Sequence, residues 1–214
     1  MNQQSTPPHR IELPTGLPVP SVNVYLFTEP EPALVDTGTK YPPALQALQA
    51  GLAQHGLAIA DLARVIISHP HVDHFGLAGY IAAHSPARIH VLQDSVPWLV
   101  NYPPMWRERV EFFGNHLFKK LGLPDEIVTP ILAHYAKTES MCESVPAERI
   151  EPFDAGDHLS LGGLPWQVLH TPGHTNTLTC FFQPGSRQFL STDMLLPLTP
   201  TPIPDPPPPG HTRR

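Results

Sequence analysis

Residues 64–74 read Arg-Val-Ile-Ile-Ser-His-Pro-His-Val-Asp-His, and no other passage restricts the fold as much. The apolar run is short and rich in β-branched residues, which suits a strand buried on both faces rather than a helix. Such a strand needs cover on each side. His69 and His71 are two residues apart, and an extended segment points both imidazoles to one side. Asp73 and His74 lie just beyond, where the chain turns toward a helix, and they can face a second position nearby. Three imidazoles and a carboxylate form an N/O donor set suited to Zn²⁺, and also to iron or manganese. A solvated polar loop is the plain alternative.

Two later segments bear on the same question. Residues 169–175, Leu-His-Thr-Pro-Gly-His-Thr, follow a strand pattern and end in a small-residue turn. Pro172 sets the bend and Gly173 allows close backbone approach, so His174 could meet His69 and His71 as a third ligand. Residues 190–193, Leu-Ser-Thr-Asp, place Asp193 directly after an apolar run, where a carboxylate could bridge two metals. Taken singly, an Asp at a strand end is more often a turn residue. His170 is read as structural or as support behind the ligands. His55, His84, His90, His116, His134 and His158 have no ligand spacing.

Elsewhere, strand and helix patterns alternate. Residues 21–27 and 33–35 read as strands, 42–55 as a helix, 64–68 as a strand, 76–84 as a helix and 88–92 as a strand. A helical insertion is expected over about 94–138. Short strands then cluster at 158–161, 166–170, 178–182 and 188–191. The expected organisation is a loose lead-in over 1–18, one domain over 19–196, and a Pro-rich tail over 197–214 that is extended or disordered. Cys180 lies in a strand and is expected in the core; two cysteines make neither a disulfide framework nor a cysteine zinc site.

Charge narrows the partners. A net charge of −6 with 13 Lys+Arg leaves no electrostatic footprint for nucleic acid. No apolar stretch is long enough to span a membrane. The first residues lack the basic and apolar regions of a secretory leader, so a cytoplasmic location is expected.

The order strand, His-x-His-x-Asp-His, helix, then Thr-Pro-Gly-His-Thr, then an Asp after a strand resembles the metallo-β-lactamase superfamily, and within it the glyoxalase-like hydrolases. The turn Leu34-Val-Asp36-Thr-Gly38 resembles an early motif of that family. The likeness runs over about residues 20–196. It implies an α/β fold, an αββα sandwich of two mixed sheets flanked by helices, with a metal site at one edge. It also implies that His69, His71 and His174 hold a first metal, that Asp73 and His74 belong to a second, and that Asp193 bridges. Asp36 matches a residue near the family's site, either a support for the ligands or a turn residue. The family carries a later His for the second metal; here only His211 follows, inside the tail, so the second half of the fold is expected to be incomplete. Missing closing strands would expose a sheet edge and favour self-association.

The implied activity is a metal-dependent hydrolase that uses a zinc-bound hydroxide on an ester, thioester or lactone carbonyl of a small molecule, with one or two zinc ions and Asp73 as the catalytic carboxylate. Two alternatives stand beside it. One is an incomplete, non-catalytic member that binds metal or a partner. The other is a phosphodiesterase or nuclease, which the acidic balance disfavours. Trp98, Tyr102, Trp106, Phe112 and Phe113 are expected mainly to pack the helical insertion, with Tyr102 and Trp106 the better candidates for lining a pocket.

Overall fold

A computed structural model describes residues 7–196. Among them, ten strands form two sheets. The first sheet runs in the order β1 (His9–Pro14), β2 (Ser21–Phe27), β3 (Ala33–Val35), β4 (Arg64–Ile67), β5 (Arg88–Leu92) and β6 (Ile150–Phe153). It is mixed: β1, β2 and β3 pair antiparallel, whereas β3 to β6 pair parallel. Parallel neighbours need crossovers, and helices supply them. Helix α1 (Pro42–Ala53) joins β3 to β4, and α2 (Val72–Phe75) with α3 (Ala78–His84) joins β4 to β5. The β5–β6 crossover is the long helical insertion: α4 (Val96–Val100), α5 (Tyr102–Phe112), a π-helical stretch over Phe113–Phe118, and α6 (Asp125–Thr138).

The second sheet has the order β10 (Gln188–Leu190), β9 (Thr179–Gln183), β8 (Leu164–His170), β7 (His158–Leu161). Two mixed sheets were expected. This one is antiparallel throughout, because its strands are joined by tight turns and one loop rather than by crossovers.

Strand alternation builds two cores. In β4, Val65 and Ile67 join a cluster with Leu48, Leu52 and Ile81 of the helices, while Ile66 faces the other sheet. The second cluster fills the space between the sheets with Val35, Leu92, Phe153, Trp166, Val168 and Phe181, and every buried member of it comes from a strand. The apolar run of β4 is thus explained: it is covered on both faces. Helix α1 begins on prolines, whose missing N–H groups cost nothing in a first turn, and buries Ala44, Leu48 and Leu52 at helical spacing.

The expected loose lead-in is corrected in part. Residues 9–14 form β1, with Ile11 and Leu13 buried by the period-two rule. Gly51 lets α1 lie close over this strand, since a Cβ there would stand 2.5 Å from Ile11 Cγ2. Strand β6 has no counterpart among the expected strands. The expected Pro-rich tail, 197–214, with His211, lies outside the described residues, as do residues 1–6. No helix among the described residues is long and apolar enough to cross a membrane.

Candidate metal centre

The site forms where strand ends of both sheets meet. Strand β3 delivers Asp36, whose backbone turns through the left-handed region at φ 62° while its N–H bonds Ile66 O at 2.8 Å. Asp tolerates this conformation better than most side chains. Strand β4 delivers Ser68 and His69, and the one-turn helix α2 presents Asp73 and His74. The loop between β8 and β9 brings His174, and the segment after β10 brings Asp193.

Three imidazole nitrogens converge. His71 Nδ1 lies 3.1 Å from His69 Nε2 and 2.9 Å from His174 Nε2. One ring nitrogen offers a single in-plane site, so His71 Nδ1 cannot form good hydrogen bonds to both neighbours; a shared cation satisfies all three. His69, His71 and His174 form one group of donor atoms within 4.8 Å of one another, and His69, His74 and Asp193 form a second. Asp193 spans the two: its Oδ1 is 3.4 Å from His74 Nε2 and its Oδ2 is 3.4 Å from His174 Nε2. Asp73 joins neither group of three, but its Oδ2 stands 3.7 Å from His74 Nε2.

Asp36 is a buried support. Its Oδ2 accepts from His74 Nδ1 at 2.8 Å and from Ser68 Oγ at 2.8 Å, and its Oδ1 accepts the Ser68 backbone N–H at 2.8 Å. Of the two sequence readings for Asp36, the supporting one accounts for these bonds, although the residue also turns the chain. With Nδ1 committed to Asp36, His74 turns Nε2 inward. That nitrogen is buried, makes no short hydrogen bond, and stands 3.4 Å from Asp193 Oδ1 and 3.7 Å from Asp73 Oδ2, an arrangement that suits a cation.

Electrostatics follows from the same packing. Burial, reinforced by His74, His71 and His174, pushes His69 well below the usual histidine range. Burial alone would lower His74 too, but Asp73, Asp193 and Asp36 outweigh it and raise it well above that range. Burial works against the ionised form of Asp193, yet the surrounding histidines, His74 foremost, bring it down to about 2. Cation binding at His74 therefore competes with a proton.

The family model described as the metallo-β-lactamase superfamily matches residues 17–214. The chain belongs to that superfamily. A probable metallo-hydrolase of Bacillus subtilis (strain 168), YqjP, is 27% identical over 195 residues, which is 87% of this chain and 56% of the relative. A metallo-β-lactamase family protein from Thermus thermophilus is 28% identical, with a TM-score of 0.75 over 92% of this chain and 62% of that one. A β-lactamase domain protein from Burkholderia ambifaria shares the fold at 18% identity and a TM-score of 0.64, over 91% of this chain and 55% of its own. The chain thus spans little more than half the length of these relatives.

Near this site the aromatic residues of the helical insertion pack on one another. Tyr102 is buried edge-on to Phe75 and stacked with Trp106, whose indole N–H donates to Tyr135 O at 2.8 Å. Arg109 lies over the rings of Trp98 and Phe113, and Phe112 stacks on His116. His170 Nε2 meets Asn176 O at 2.7 Å and holds the loop that carries His174. Cys180 is fully buried. Ser68 has no role that the sequence motif assigns; only its position between a strand end and a histidine hints at one.

Proposed function

We propose that this chain is the metal-binding part of a hydrolase that cleaves the carbonyl of an ester, thioester or lactone in a small molecule. What carries the reading is the convergence of His69, His71 and His174 on one point, with Asp193 reaching from that group to His74. The ligands of the first position are His69, His71 and His174; His74 and Asp73 serve a second, and Asp193 serves both. Zinc fits the histidine-rich donor set best, with iron and manganese as the other candidates, and when bound it supplies Lewis acidity and makes water acidic enough to react near neutral pH.

The residues have distinct tasks. His69, His74 and His174 are buried, so they keep bulk water from the donor atoms. Asp73 is partly open to solvent and turns Oδ2 toward His74 at the second position, so its other carboxylate oxygen serves to orient a water and accept its proton. Asp36 takes no part in the reaction; it fixes the His74 ring. No serine or cysteine nucleophile is needed, and both cysteines are buried.

A second reading has one observation in its favour: the chain spans 56% of its Bacillus relative, so it could bind metal without turnover. The test is metal analysis of the purified chain combined with a panel of ester, thioester and lactone substrates. Bound zinc with hydrolysis lost in His71→Ala supports the hydrolase. Bound zinc with no turnover on any carbonyl substrate supports the second reading, and absence of binding at micromolar zinc overturns both. Cleavage of bis(p-nitrophenyl) phosphate alone would point to a phosphodiesterase.

A further inference from the structure

Ser68 occupies the last position before the first histidine, is fully buried, and touches two functional groups through one oxygen. Its Oγ lies 2.8 Å from Asp36 Oδ2 and 3.0 Å from His69 Nδ1. A hydroxyl has a single proton. A carboxylate only accepts, so that proton goes to Asp36. The oxygen is then left as an acceptor toward His69, and Nδ1 must carry the ring N–H. A neutral imidazole has one N–H, so Nε2 keeps its lone pair. That lone pair belongs to the atom 3.1 Å from His71 Nδ1, inside the cluster.

We propose that Ser68 is a positioning residue that relays the hydrogen-bonding demand of Asp36 to His69 and holds this ring as the Nδ1–H tautomer, with Nε2 bare and aimed at the metal position. Asp36 also orients the His74 ring directly, through the 2.8 Å bond to Nδ1. One buried carboxylate therefore orients two rings, one of them through a hydroxyl. The backbone N–H of Ser68 donates to Asp36 Oδ1, which pins the carboxylate and leaves Oδ2 to the two side chains. Without the hydroxyl, His69 Nδ1 loses its acceptor. The ring then gains by moving its proton to Nε2, where His71 can accept it and a metal cannot bind.

The inference rests on the metal-centre reading for its purpose but not for its test. The tautomer of His69 is read in the metal-free protein by long-range ¹H–¹⁵N correlation of the imidazole nitrogens. The expected result is a protonated Nδ1 and a bare Nε2 in the unsubstituted chain, and a shift of population toward protonated Nε2 in Ser68→Ala. Zinc affinity, measured by competition with a chromophoric chelator, should fall about 10–100-fold in Ser68→Ala. It should recover in Ser68→Thr, which keeps the hydroxyl. A His69 ring protonated at Nε2, or at both nitrogens, in the unsubstituted protein overturns the proposal without recourse to any variant. So does a Ser68→Ala protein that loses stability while its tautomer and zinc affinity stay put, since that is the signature of packing alone. Failure of zinc to bind an Nδ1–H form would sink the metal reading instead.

Discussion

Thr179 donates both its backbone N–H, at 3.0 Å, and its hydroxyl, at 2.7 Å, to the carbonyl oxygen of Ser68. The two residues are 111 positions apart; Ser68 directly follows β4 of the first sheet and Thr179 opens β9 of the second. This pair of donors on one acceptor clamps the start of β9 to the end of β4, next to His69. The carbonyl of Thr179 in turn accepts from Thr192 Oγ at 3.0 Å, one residue before Asp193. Three strand ends that carry candidate ligands are tied through a single threonine. Thr179→Val keeps the shape and the N–H but removes the hydroxyl. It should cost about 1 kcal/mol in urea unfolding and weaken zinc binding, because the His174 loop loses its register against His69. Unchanged zinc affinity with lowered stability would show that the clamp serves folding only.

Asp36→Asn tests the buried carboxylate. An amide can present its oxygen to only one side, and its NH₂ would then face a group that also donates: His74 Nδ1 and Ser68 Oγ at one oxygen, or the Ser68 N–H at the other. A buried donor left without an acceptor costs about 1–3 kcal/mol. The expected result is a clear drop in the urea midpoint of the metal-free protein and a loss of zinc affinity larger than that of Ser68→Ala, since both rings lose their orientation. A variant as stable as the parent would mean that the carboxylate bonds neither His74 nor Ser68 in solution.

Much of the centre was legible because its chemistry is concentrated: His69, His71, Asp73 and His74 stand close together in one short segment, and few folds need that combination for packing alone. Asp36 and Asp193 are different. Each is an Asp at a strand end, and only likeness to a family distinguished them from turn residues. Ser68 was opaque for a physical reason, because the direction of a hydroxyl proton depends on partners 32 residues away. Strand β1 was hidden by prolines on both sides, although Ile11 and Leu13 alternate correctly. Strand β6 was hidden by Pro152, which reads as a breaker; at a sheet edge its missing N–H has no strand to bond and costs little. In the aromatic insertion Tyr102 and Trp106 stack on each other, in line with the packing expected there.

Both cysteines should be silent in the native protein. Burial pushes the Cys142 thiol well above its ordinary range, and burial likewise raises Cys180. A raised thiol pKa means less thiolate at a given pH, and the thiolate is the reactive form. With an aromatic disulfide reagent under mildly alkaline conditions, labelling should be slow and should accelerate only as urea opens the fold. Rapid labelling of one cysteine in the folded chain would place that residue in a locally open segment.

Gly76 sets the position of α2, and through it of Asp73 and His74. A Cβ at this residue would stand 2.6 Å from Met141 O and 2.7 Å from the Lys40 backbone nitrogen. Those two atoms are themselves joined by a 2.8 Å hydrogen bond. The added methyl of Gly76→Ala cannot escape by a rotamer change, because its neighbours are backbone. Either the Lys40–Met141 bond breaks or α2 shifts outward. Overpacking of this kind costs about 1–3 kcal/mol, visible in the urea midpoint. An outward shift of α2 carries His74 away from Asp36 and Asp193, while His69 at the end of β4 and His174 on the β8–β9 loop keep their own anchors. Zinc titrations should then lose the weaker of two binding events and keep the stronger. Retention of two events, or loss of both together, would contradict the separate anchoring of the two donor groups.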